Sequence, residues 1–447
     1  MIIQQFDEMN QQDLVESEDV IVPAGYKRTE VGIIPKDWKL SSILDLVEIR
    51  SGQVDPRYEP YKSMILIAPD HIESNTGRLL ATKSAADQLA ISGKYLFKRG
   101  DILYSKIRPY LKKATLAQID GLCSADMYAL RPKDNISSGF ILAVTLSNHF
   151  TKYAESVSLR SGMPKINREE LSGYTMAFPC FDEQIAIATA LSDVDVLINE
   201  LEKLLTKKQA IKTATIQQLL TGRTRLPQFS LHEDGSKKGY KQSELGEIPE
   251  DWKVRSLLNI ANLIHGKAHE PYVSESGRFV VVNSKFISTE GLVRKYCSQN
   301  DCVAKQGDVL MVLSDLPNGR ALAKCYYVEQ DHIYAVNQRV CIFRTDTFDS
   351  KFLYFYLNRH KYFLALDDGV TQTHILNGDI KDCQLYVPSN IEEQTAIAII
   401  LSDMDDELRV LEQRLNKTRQ IKQGMMQELL TGKTRLIQPK KDECKHA

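Results

Sequence analysis

The residues best suited to chemistry stand in one basic stretch, Lys94–Lys113, with the sequence KYLFKRGDILYSKIRPYLKK. Seven Lys or Arg residues occur there against one Asp, with three Tyr residues between them. Arginine offers a planar donor pair that suits the edge of guanine, whereas lysine neutralises phosphate. The stretch therefore predicts contact with nucleic acid, and the alternative is a solvated basic surface. The candidate residues are Lys106, Arg108, Tyr110, Lys112 and Lys113.

Two later segments add polar residues that could read base edges. RSGMPK begins at Arg160 and GVTQTH begins at Gly369, and both contain glycine together with hydrogen-bonding side chains. Asn and Gln can pair with adenine in a bidentate manner. Taken singly, each of these residues is better explained by a loop hydrogen bond or a phosphate contact. The further DNA-binding candidates are Arg160, Ser161, Lys165, Asn283, Lys285, Arg320, Arg339, Gln372 and His374.

Motifs for catalysis are missing from this sequence. The GKT at 432–434 resembles the end of a phosphate-binding loop, but Gln427 stands where that loop needs its first glycine. His265 and His269 lie four residues apart without a third candidate metal ligand. We therefore expect Gly432 to terminate a helix, and we expect no catalytic residue and no metal site.

Length and composition indicate a multidomain globular protein. A chain of 447 residues exceeds one ordinary hydrophobic core, which predicts two or more domains. No apolar run approaches the roughly 18 residues of a membrane span, and the acidic N-terminus does not resemble a secretory signal. Eight cysteines without a CxxC pair favour reduced thiols and a cytoplasmic protein.

The net charge of −1 argues against nucleic-acid binding only until its distribution is considered. Residues 1–24 hold six acidic residues and no Lys or Arg, so the rest of the chain carries about +5. Such a modest excess can meet phosphate only where basic residues cluster. The acidic N-terminal arm itself predicts a flexible segment, with a docking role as the alternative.

An internal duplication is the main organisational feature. GYKRTEVGIIPKDWKL begins at Gly25 and GYKQSELGEIPEDWKV begins at Gly239, and each copy contains one of the two tryptophans. The segment 184–226 matches 394–436, and the copies end in LLTGRTRL and LLTGKTRL. Between these segments the copies diverge strongly. This pattern favours two domains that share one fold and recognise different things, and neutral drift after duplication is the alternative.

The similar segments predict two long helices that pair with each other. Apolar residues recur at alternating steps of three and four, which is typical of a coiled-coil seam. About 38 residues without Pro or Gly in the first copy correspond to roughly 57 Å of helix. We expect the two helices to fold back as an antiparallel pair and to end before Gly222 and Gly432. The predicted helix-pairing residues are Leu191, Val194, Ile198, Leu201, Leu205, Leu401, Met404, Leu408, Leu411 and Leu415.

The divergent regions predict mixed α/β (α+β) domains. SMILIAP, GDILYSKI, RFVVVN and GDVLMVLSD indicate short strands, and FILAVTLSNHFTKYAES and KFLYFYLNRHKYFLALD indicate one helix per domain. The predicted division is an acidic arm at 1–24, a first recognition domain at 25–181, a first spacer helix at 182–221, a linker at 222–238, a second recognition domain at 239–389, a second spacer helix at 390–431 and a tail at 432–447.

These motifs together resemble the specificity (S) subunits of type I restriction–modification enzymes. The resemblance rests on the repeated GYK…G.IP.DW opening, on GDIL.SKIRPYL.K, and on P….EQ.AIA..LS..D leading to LLTG.TRL. It covers Gly25 to Leu436 in the family's order, twice over. The pattern departs at Met311–Asp315, which replaces the SKIRPYL stretch, so the second reading surface cannot be mapped from the first.

The resemblance implies that each domain recognises one half of a bipartite double-stranded DNA site and that the helices set the gap. It implies two modification (methyltransferase) subunits and restriction (motor and nuclease) subunits as partners, with no membrane involved. S-adenosylmethionine, ATP and Mg would bind to those partners and not to this chain. Two other functions remain open: a scaffold whose domains bind proteins, and a self-sufficient methyltransferase whose cofactor motif is not recognisable.

Overall fold

The computed structural model describes residues 22–158, 162–315, 321–367 and 374–437. Two units are distinguished: unit 1 comprises Met1–Glu202 and Arg414–Ala447, and unit 2 comprises Lys203–Gln413. Each unit holds one α/β domain together with one part of each of two long helices. Within the described residues, no helix is both long enough and apolar enough to cross a lipid bilayer.

Domain 1, the part of unit 1 that precedes the first long helix, is formed by short strands. The strands are β1 Tyr26–Thr29, β2 Gly32–Pro35, β3 Lys39–Ser42, β4 Val47–Ile49, β5 Gln53–Val54, β6 Ile65–Ile67, β7 Lys83–Ser84, β8 Lys94–Phe97, β9 Ile102–Ser105, β10 Ala114–Leu116, β11 Gly121–Cys123, β12 Met127–Pro132 and β13 Thr175–Phe178. Two larger sheets have the orders β10-β9-β12-β4 and β5-β8-β11-β6-β7, and two antiparallel pairs, β1-β2 and β13-β3, complete the domain.

The helices of domain 1 correct one expectation. They are α1 Ile43–Leu46, α2 Ser138–Leu146, α3 Asn148–Ser158 and α4 Arg168–Ser172, with 3-10 turns at Tyr61–Ser63, Pro69–His71 and Pro109–Leu111. The expectation of a single helix across 140–156 was wrong, because Ser147 has an extended backbone with ψ 154°. Its hydroxyl accepts a hydrogen bond from the Phe150 backbone N–H at 3.1 Å, as an N-cap does.

Domain 2, which lies in unit 2, repeats this plan with fewer strands. The strands are β14 Tyr240–Ser243, β15 Gly246–Pro249, β16 Trp252–Ser256, β17 Asn262–His265, β18 Phe279–Val282, β19 Tyr296–Cys297, β20 Val309–Val312, β21 Cys325–Tyr327, β22 Tyr334–Val336, β23 Val340–Arg344 and β24 Gln384–Pro388. The sheet β17-β23-β20-β21 corresponds to β4-β12-β9-β10, and β19-β18-β22 corresponds to β7-β6-β11. Among the described residues, the second sheet of domain 2 has three strands where domain 1 has five.

The connecting helices of domain 2 also differ from the prediction of one helix. The first long helix, Phe181–Leu220, is α5. The short helices of unit 2 are α6 Leu257–Ile260, α7 Ser284–Ser288, α8 Ser350–Leu357, α9 Lys361–Leu364 and α10 Asn377–Asp382, with 3-10 turns at Pro227–Phe229 and Glu270–Tyr272. The expected single helix is divided between α8 and α9, where Arg359 adopts a left-handed conformation with φ 60°. A non-glycine residue in this conformation interrupts a right-handed helix.

The two long helices are α5 Phe181–Leu220 and α11 Ile391–Leu430, and each has 40 residues. In unit 1 the two segments run antiparallel, with ion pairs of 2.6 Å between Asp195 and Lys422 and 2.7 Å between Glu202 and Arg419. In unit 2 an equivalent pair joins Asp405 to Lys212, and it is the same contact shifted by the 210-residue repeat. The duplicated sequence therefore makes the same helix contact twice.

Each of the ten residues predicted for the helix seam is buried or half-buried. Polar residues between them, such as Asp193 and Asp403, are exposed, as a heptad pattern predicts. Five are buried, namely Leu191, Leu201, Leu401, Leu408 and Leu415. The other five are half-buried, namely Val194, Ile198, Leu205, Met404 and Leu411.

Each long helix ends at a glycine, as predicted. Gly222 and Gly432 have φ 67° and 69°, a left-handed conformation that favours glycine. A Cβ atom on Gly222 would lie 2.5 Å from Cγ of Pro249, and a Cβ atom on Gly432 would lie 2.5 Å from Cγ of Pro35. Glycine is thus required both for the turn and for the close approach of the repeated opening segment.

That opening segment packs on the end of a helix distant in sequence. In unit 1 the Tyr26 hydroxyl donates to the Gly432 carbonyl at 2.9 Å, and Arg435 binds both Asp37 and Glu183. The Arg435 guanidinium also lies 5.9 Å from the ring centroid of Trp38, which is buried.

Unit 2 repeats this junction with the corresponding residues. Arg225 binds Asp251 and Glu393, and its guanidinium lies 5.8 Å from the ring centroid of the buried Trp252. The Tyr240 hydroxyl donates to the Gly222 carbonyl at 3.1 Å. The matched sequence segments are therefore the two halves of one structural junction, which each unit forms once.

The Gly-Asp landmark shared by the two domains also has a structural role. Asp101 is buried and accepts hydrogen bonds from Arg131 at 2.8 and 3.1 Å, while Asp308 accepts from Arg344 at 2.8 and 2.7 Å. Each carboxylate thus neutralises an arginine between two neighbouring strands of the same sheet, which fixes the start of β9 and of β20.

Candidate DNA interface

Two loops meet at the end of strand β9 in domain 1. Ile107 and Lys165 form an isolated bridge between antiparallel chain segments. The Arg108 N–H donates to the Pro164 carbonyl, and the Ile166 N–H donates to the Lys106 carbonyl, both at 2.9 Å. The segment after β9 therefore lies directly beside the segment that leads into α4, and backbone hydrogen bonds hold the two segments together.

The same pair of loops occurs in domain 2 at the end of strand β20. Ser314 and His374 form the corresponding bridge, and the Ile375 N–H donates to the Leu313 carbonyl at 2.9 Å. The Leu313 N–H donates in turn to the Arg339 carbonyl at 2.9 Å. We call these two pairs reading loops 1, Lys106–Lys113 with Gly162–Arg168, and reading loops 2, Leu313–Asp315 with Arg339 and His374–Leu376.

Reading loops 1 contain an unusual turn. Arg108 and Lys112 have φ 50° and 47°, and they flank the 3-10 turn Pro109–Leu111. Long side chains rarely occupy this left-handed region, and such conformations persist where surrounding structure enforces them. Pro109 is buried, while Arg108 is exposed and Tyr110 is 50% exposed. The turn therefore displays Arg108 and Tyr110 to solvent at a defined position.

Positive charge is concentrated at these loops. Burial lowers the pKa of the Lys106 ammonium, and the nearby charges of Lys165 and Arg168 lower this pKa further, against the opposing effect of Asp126. The Lys106 Nζ atom also lies 5.2 Å from the ring centroid of Tyr128. The exposed Lys165 and Arg168 and the half-buried Lys106 thus share one surface beside the exposed Arg108, and this surface suits a polyanion.

Most of the remaining cations of the basic stretch contact the domain itself, while Arg99 is exposed. Lys94 is buried and donates to Ser92, and Lys98 pairs with Asp120 at 2.8 Å. The Lys112 ammonium binds the Asn148 amide oxygen, and the Lys113 ammonium donates to the Pro69 carbonyl at 2.7 Å. The stretch is therefore not one continuous basic surface, and its contact residues best placed for DNA are Lys106, Arg108 and Tyr110.

The domain 2 candidates occupy several places. Asn283 caps α7, because its side-chain oxygen accepts from the Phe286 N–H at 2.9 Å, and Lys285 on the same helix is exposed. Arg339 and His374 are exposed within reading loops 2. Four further candidates lie outside the described residues, namely Arg160, Ser161, Arg320 and Gln372.

Arg168 also lies at this candidate interface and is absent from the candidates predicted from the sequence. It is the first residue of α4 and is exposed beside Lys106 and Lys165. Asn167 caps this helix and Glu170 completes a capping box, with hydrogen bonds of 2.8 and 2.7 Å. The sequence Asn-x-x-Glu is a recognisable helix start, so the signal was present.

Of the two histidines considered for a metal site, His265 is exposed at the end of β17, and His269 takes part in the fold. His269 is fully buried, and its Nε2 atom accepts from the Asp301 N–H at 3.1 Å. Asn337 donates to Glu270 at 2.7 Å, and this hydrogen bond lowers the pKa of the Glu270 carboxyl. Across the described ranges, no three His, Cys, Asp or Glu side chains are grouped as metal ligands would be.

Comparison with known proteins identifies the family. The family described as type I restriction modification DNA specificity domain matches residues 35–213 and again residues 249–420. The two matches coincide with the two copies of the domain and helix plan.

Individual relatives agree with this match. The EcoDI type I restriction enzyme specificity subunit of Escherichia coli is 35% identical over 178 residues, which cover 40% of this chain and 39% of that protein. The MjaVIII specificity subunit of Methanocaldococcus jannaschii is 25% identical and covers 90% of this chain and 94% of that protein. The crystal structure of a type I S subunit from M. genitalium shares the fold, with TM-score 0.56 at 14% identity over 88% of this chain and 96% of that chain. Because the family matches cover well over half of its residues, this chain belongs to the type I restriction–modification specificity subunits, the family that supplies such systems with DNA sequence specificity.

Proposed function

We propose that the chain reads a bipartite DNA target, one half-site per domain, across a gap whose length the two long helices set. The observation that carries this proposal is the pair of reading loops, which lies at the end of β9 in domain 1 and at the end of the corresponding strand β20 in domain 2. Reading loops 1 present Lys106, Arg108 and Lys165, whereas reading loops 2 present Arg339 and His374. Recognition of two different half-sites requires the same backbone arrangement with two different sets of hydrogen-bonding side chains.

The chemistry of the loops supports a division between positioning and reading. Lysine ammonium groups such as those of Lys106 and Lys165 neutralise phosphates and add a salt-dependent contribution to affinity. Arg108 stands on a constrained turn, where its guanidinium can offer two parallel donors to a guanine edge. We expect Lys165 to contribute mainly to the affinity for DNA of any sequence, and Arg108 to contribute mainly to the preference for one base sequence.

We further infer that this chain has no catalytic activity and acts within a complex in the cytoplasm. Two modification subunits would dock on the helices, and restriction subunits would join them. S-adenosylmethionine, ATP and Mg would bind to those partners. Apolar side chains that remain exposed on both helices support the docking role, for example Val196 at 57% and Val410 at 60% exposure.

A domain replacement tests the proposal. Residues 25–180 would be exchanged for the corresponding domain of another specificity subunit, and methylated adenines would be mapped across the host genome before and after the exchange. We expect one half-site to change while the other half-site and the gap are retained. A change in both halves, or in neither, would contradict the assignment of one half-site to each domain.

A further inference from the structure

A loop of domain 1 reaches across to the long helices through Arg78. The loop is closed at its base by the bridge between Ile72 and Leu79. The Arg78 Nη1 atom donates to Glu202 Oε2 at 2.7 Å and to Asn199 Oδ1 at 3.0 Å, both on α5. Its Nη2 atom donates to Glu73 at 2.8 Å within the loop, so the guanidinium is held from both sides.

Glu202 extends this contact to the second helix. Its other carboxylate oxygen, Oε1, accepts from Arg419 Nη2 on α11 at 2.7 Å. The hydrogen bonds from these two arginines lower the pKa of the Glu202 carboxyl against the opposing effect of its burial. We call Arg78, Glu202 and Arg419 the helix strap, since these three side chains join domain 1 to both helices.

The strap contacts the helices at a distance from the place where the core of domain 1 packs on them. The hydrophobic core of domain 1 includes Ile187 and Leu191 of α5 and Leu429 of α11, all near the helix ends. Glu202 lies eleven residues beyond Leu191, which corresponds to about 16 Å of helix. A groove of about 1240 Å³ lies between these two attachments and is lined from both the domain and the helices. A second attachment at this distance restricts rotation about the first.

The strap is suited to orientation rather than to folding. Arg78 and Arg419 are 41% and 51% exposed, and exposed ion pairs contribute little to the free energy of unfolding. A contact that costs little to lose but spans a groove still restricts the direction in which a domain points.

Unit 2 lacks this strap among the residues that the structure describes. Arg409, Glu412 and Gln209 occupy the positions of Asn199, Glu202 and Arg419 after the 210-residue shift. Arg409 pairs with Asp406 on its own helix at 2.7 Å, three residues away. In domain 2, Leu292 follows the positive-φ Gly291 as Arg78 follows Gly77, and it is 88% exposed. Within the described residues, the strap therefore belongs to domain 1, and the equivalent positions in unit 2 are occupied by residues with other contacts.

We propose that Arg78 is a positioning residue that fixes the direction of reading loops 1 on the helices and so makes DNA binding sensitive to gap length. This inference rests on the proposed function, in which the helices set the gap. Without the strap, domain 1 would rotate enough to accept a half-site displaced by one base pair. Its own sequence preference would remain, because the Arg78 guanidinium binds Asn199 and Glu202 on α5 and Glu73 in its own loop. The loop meets reading loops 1 through its backbone, where the Asn75 N–H donates to the Lys112 carbonyl at 3.4 Å.

The test compares gap discrimination between variants of the full chain assembled with its modification subunits. Dissociation constants would be measured for duplexes that carry the mapped target with its natural gap and with the gap one base pair shorter or longer. For Arg78→Ala we expect the preference for the natural gap to fall about fivefold, the size expected for one exposed charged contact, with the half-site sequence preference unchanged. Arg78→Lys should restore part of the preference, since lysine can keep one ion pair with Glu202.

The matched control is Arg409→Ala, which removes an exposed arginine and an ion pair confined to one helix. It should leave gap discrimination as in the wild type. Unchanged discrimination in Arg78→Ala, or a loss of half-site preference together with gap preference, would overturn the role of Arg78. If the wild type itself shows no gap preference, the proposed function fails instead, so the two failures are distinguishable.

Discussion

At the residue scale, the surroundings of a basic side chain decide whether it can meet DNA. Arg108 and Lys113 are five residues apart in one basic stretch, yet Arg108 is exposed on a left-handed turn while the Lys113 ammonium donates to the Pro69 carbonyl. An ammonium group that donates to a carbonyl of its own domain is held in place, and reaching out to a phosphate would stretch or break that hydrogen bond. The candidate interface therefore includes fewer cations than the seven that the basic stretch contains.

Arg108→Ala tests this distinction. We expect the variant to lose about 1–3 kcal/mol of binding free energy for the cognate half-site and to tolerate substitutions at one base position, as the loss of a bidentate base contact does. The measurement is the dissociation constant for the cognate duplex and for single-base variants at several salt concentrations. If Arg108 contacts only phosphate, affinity will fall equally for all sequences and the salt slope will fall by about 1.

Lys98→Ala is the matched control for this measurement, because Lys98 belongs to the same stretch but pairs with Asp120. Its binding should equal that of the wild type. An equal loss in both variants would indicate a diffuse basic surface rather than a defined reading turn.

The sequence could identify this stretch but could not separate its members. From the residue types and the position of Pro109, the sequence predicts that the basic residues Lys106, Arg108, Lys112 and Lys113 lie in or beside a turn. The partners that occupy two of them, Asn148 and Pro69, are 36 and 44 residues away. Local patterns carry no information about such distant hydrogen bonds, which depend on how β9 and β10 are placed in the sheet.

At the element scale, the long helices were predictable and the short ones were not. A heptad pattern over forty residues repeats its signal many times, so both helices and their glycine ends follow from the sequence. The break between α2 and α3 depends on the single residue Ser147, whose hydroxyl caps the second helix. One capping side chain within an apolar run is a weak signal, because serine also occurs inside helices.

The double variant Leu201→Asp and Leu411→Asp tests the helix seam. The two positions are equivalent in the repeat, and Leu201 is 5% exposed while Leu411 is half-buried. An unpaired carboxylate at such sites should cost about 3 kcal/mol or more and weaken assembly with the modification subunits. Thermal unfolding and the mass of the complex by light scattering are the measurements.

Leu204→Asp provides the control on the same helix, because Leu204 is 38% exposed. It should leave the melting temperature close to that of the wild type. A double variant with unchanged melting temperature and unchanged complex mass would contradict a structural role for the seam.

At the scale of the whole molecule, the duplication explains why the matched segments are so far apart in the chain. The opening segment of domain 1 packs on residues 432–435, about 400 residues later, whereas the opening segment of domain 2 packs on residues 222–225, just before it. The sequence shows that both segments repeat. It does not show that each opening segment packs on the end of the other copy's helix, since such pairing leaves no periodic trace along the chain.

This arrangement predicts that a change near the C-terminus destabilises the N-terminal domain. Arg435 is bound to Glu183, which is 1% exposed, and removal of one partner of a buried ion pair costs about 3–5 kcal/mol. In Arg435→Ala, hydrogen exchange should therefore increase in the hairpin Tyr26–Pro35 and stay unchanged in the hairpin Tyr240–Pro249. Arg225→Ala should produce the opposite pattern, because Arg225 binds the equivalent Glu393 in unit 2.

Lys433→Ala is the control for a change at the same helix end, since Lys433 is exposed and its side chain lies outside the network of Arg435. Hydrogen exchange in both hairpins should match the wild type in this variant.

Equal acceleration of hydrogen exchange in both hairpins of Arg435→Ala would show that the two units unfold together, whereas acceleration confined to unit 1 means that each unit is stabilised by its own junction. In the second case an exchanged recognition domain is stable only if the helix end that holds it is exchanged or matched as well. For domain 1 that helix end is residues 432–435, far from the domain in the sequence.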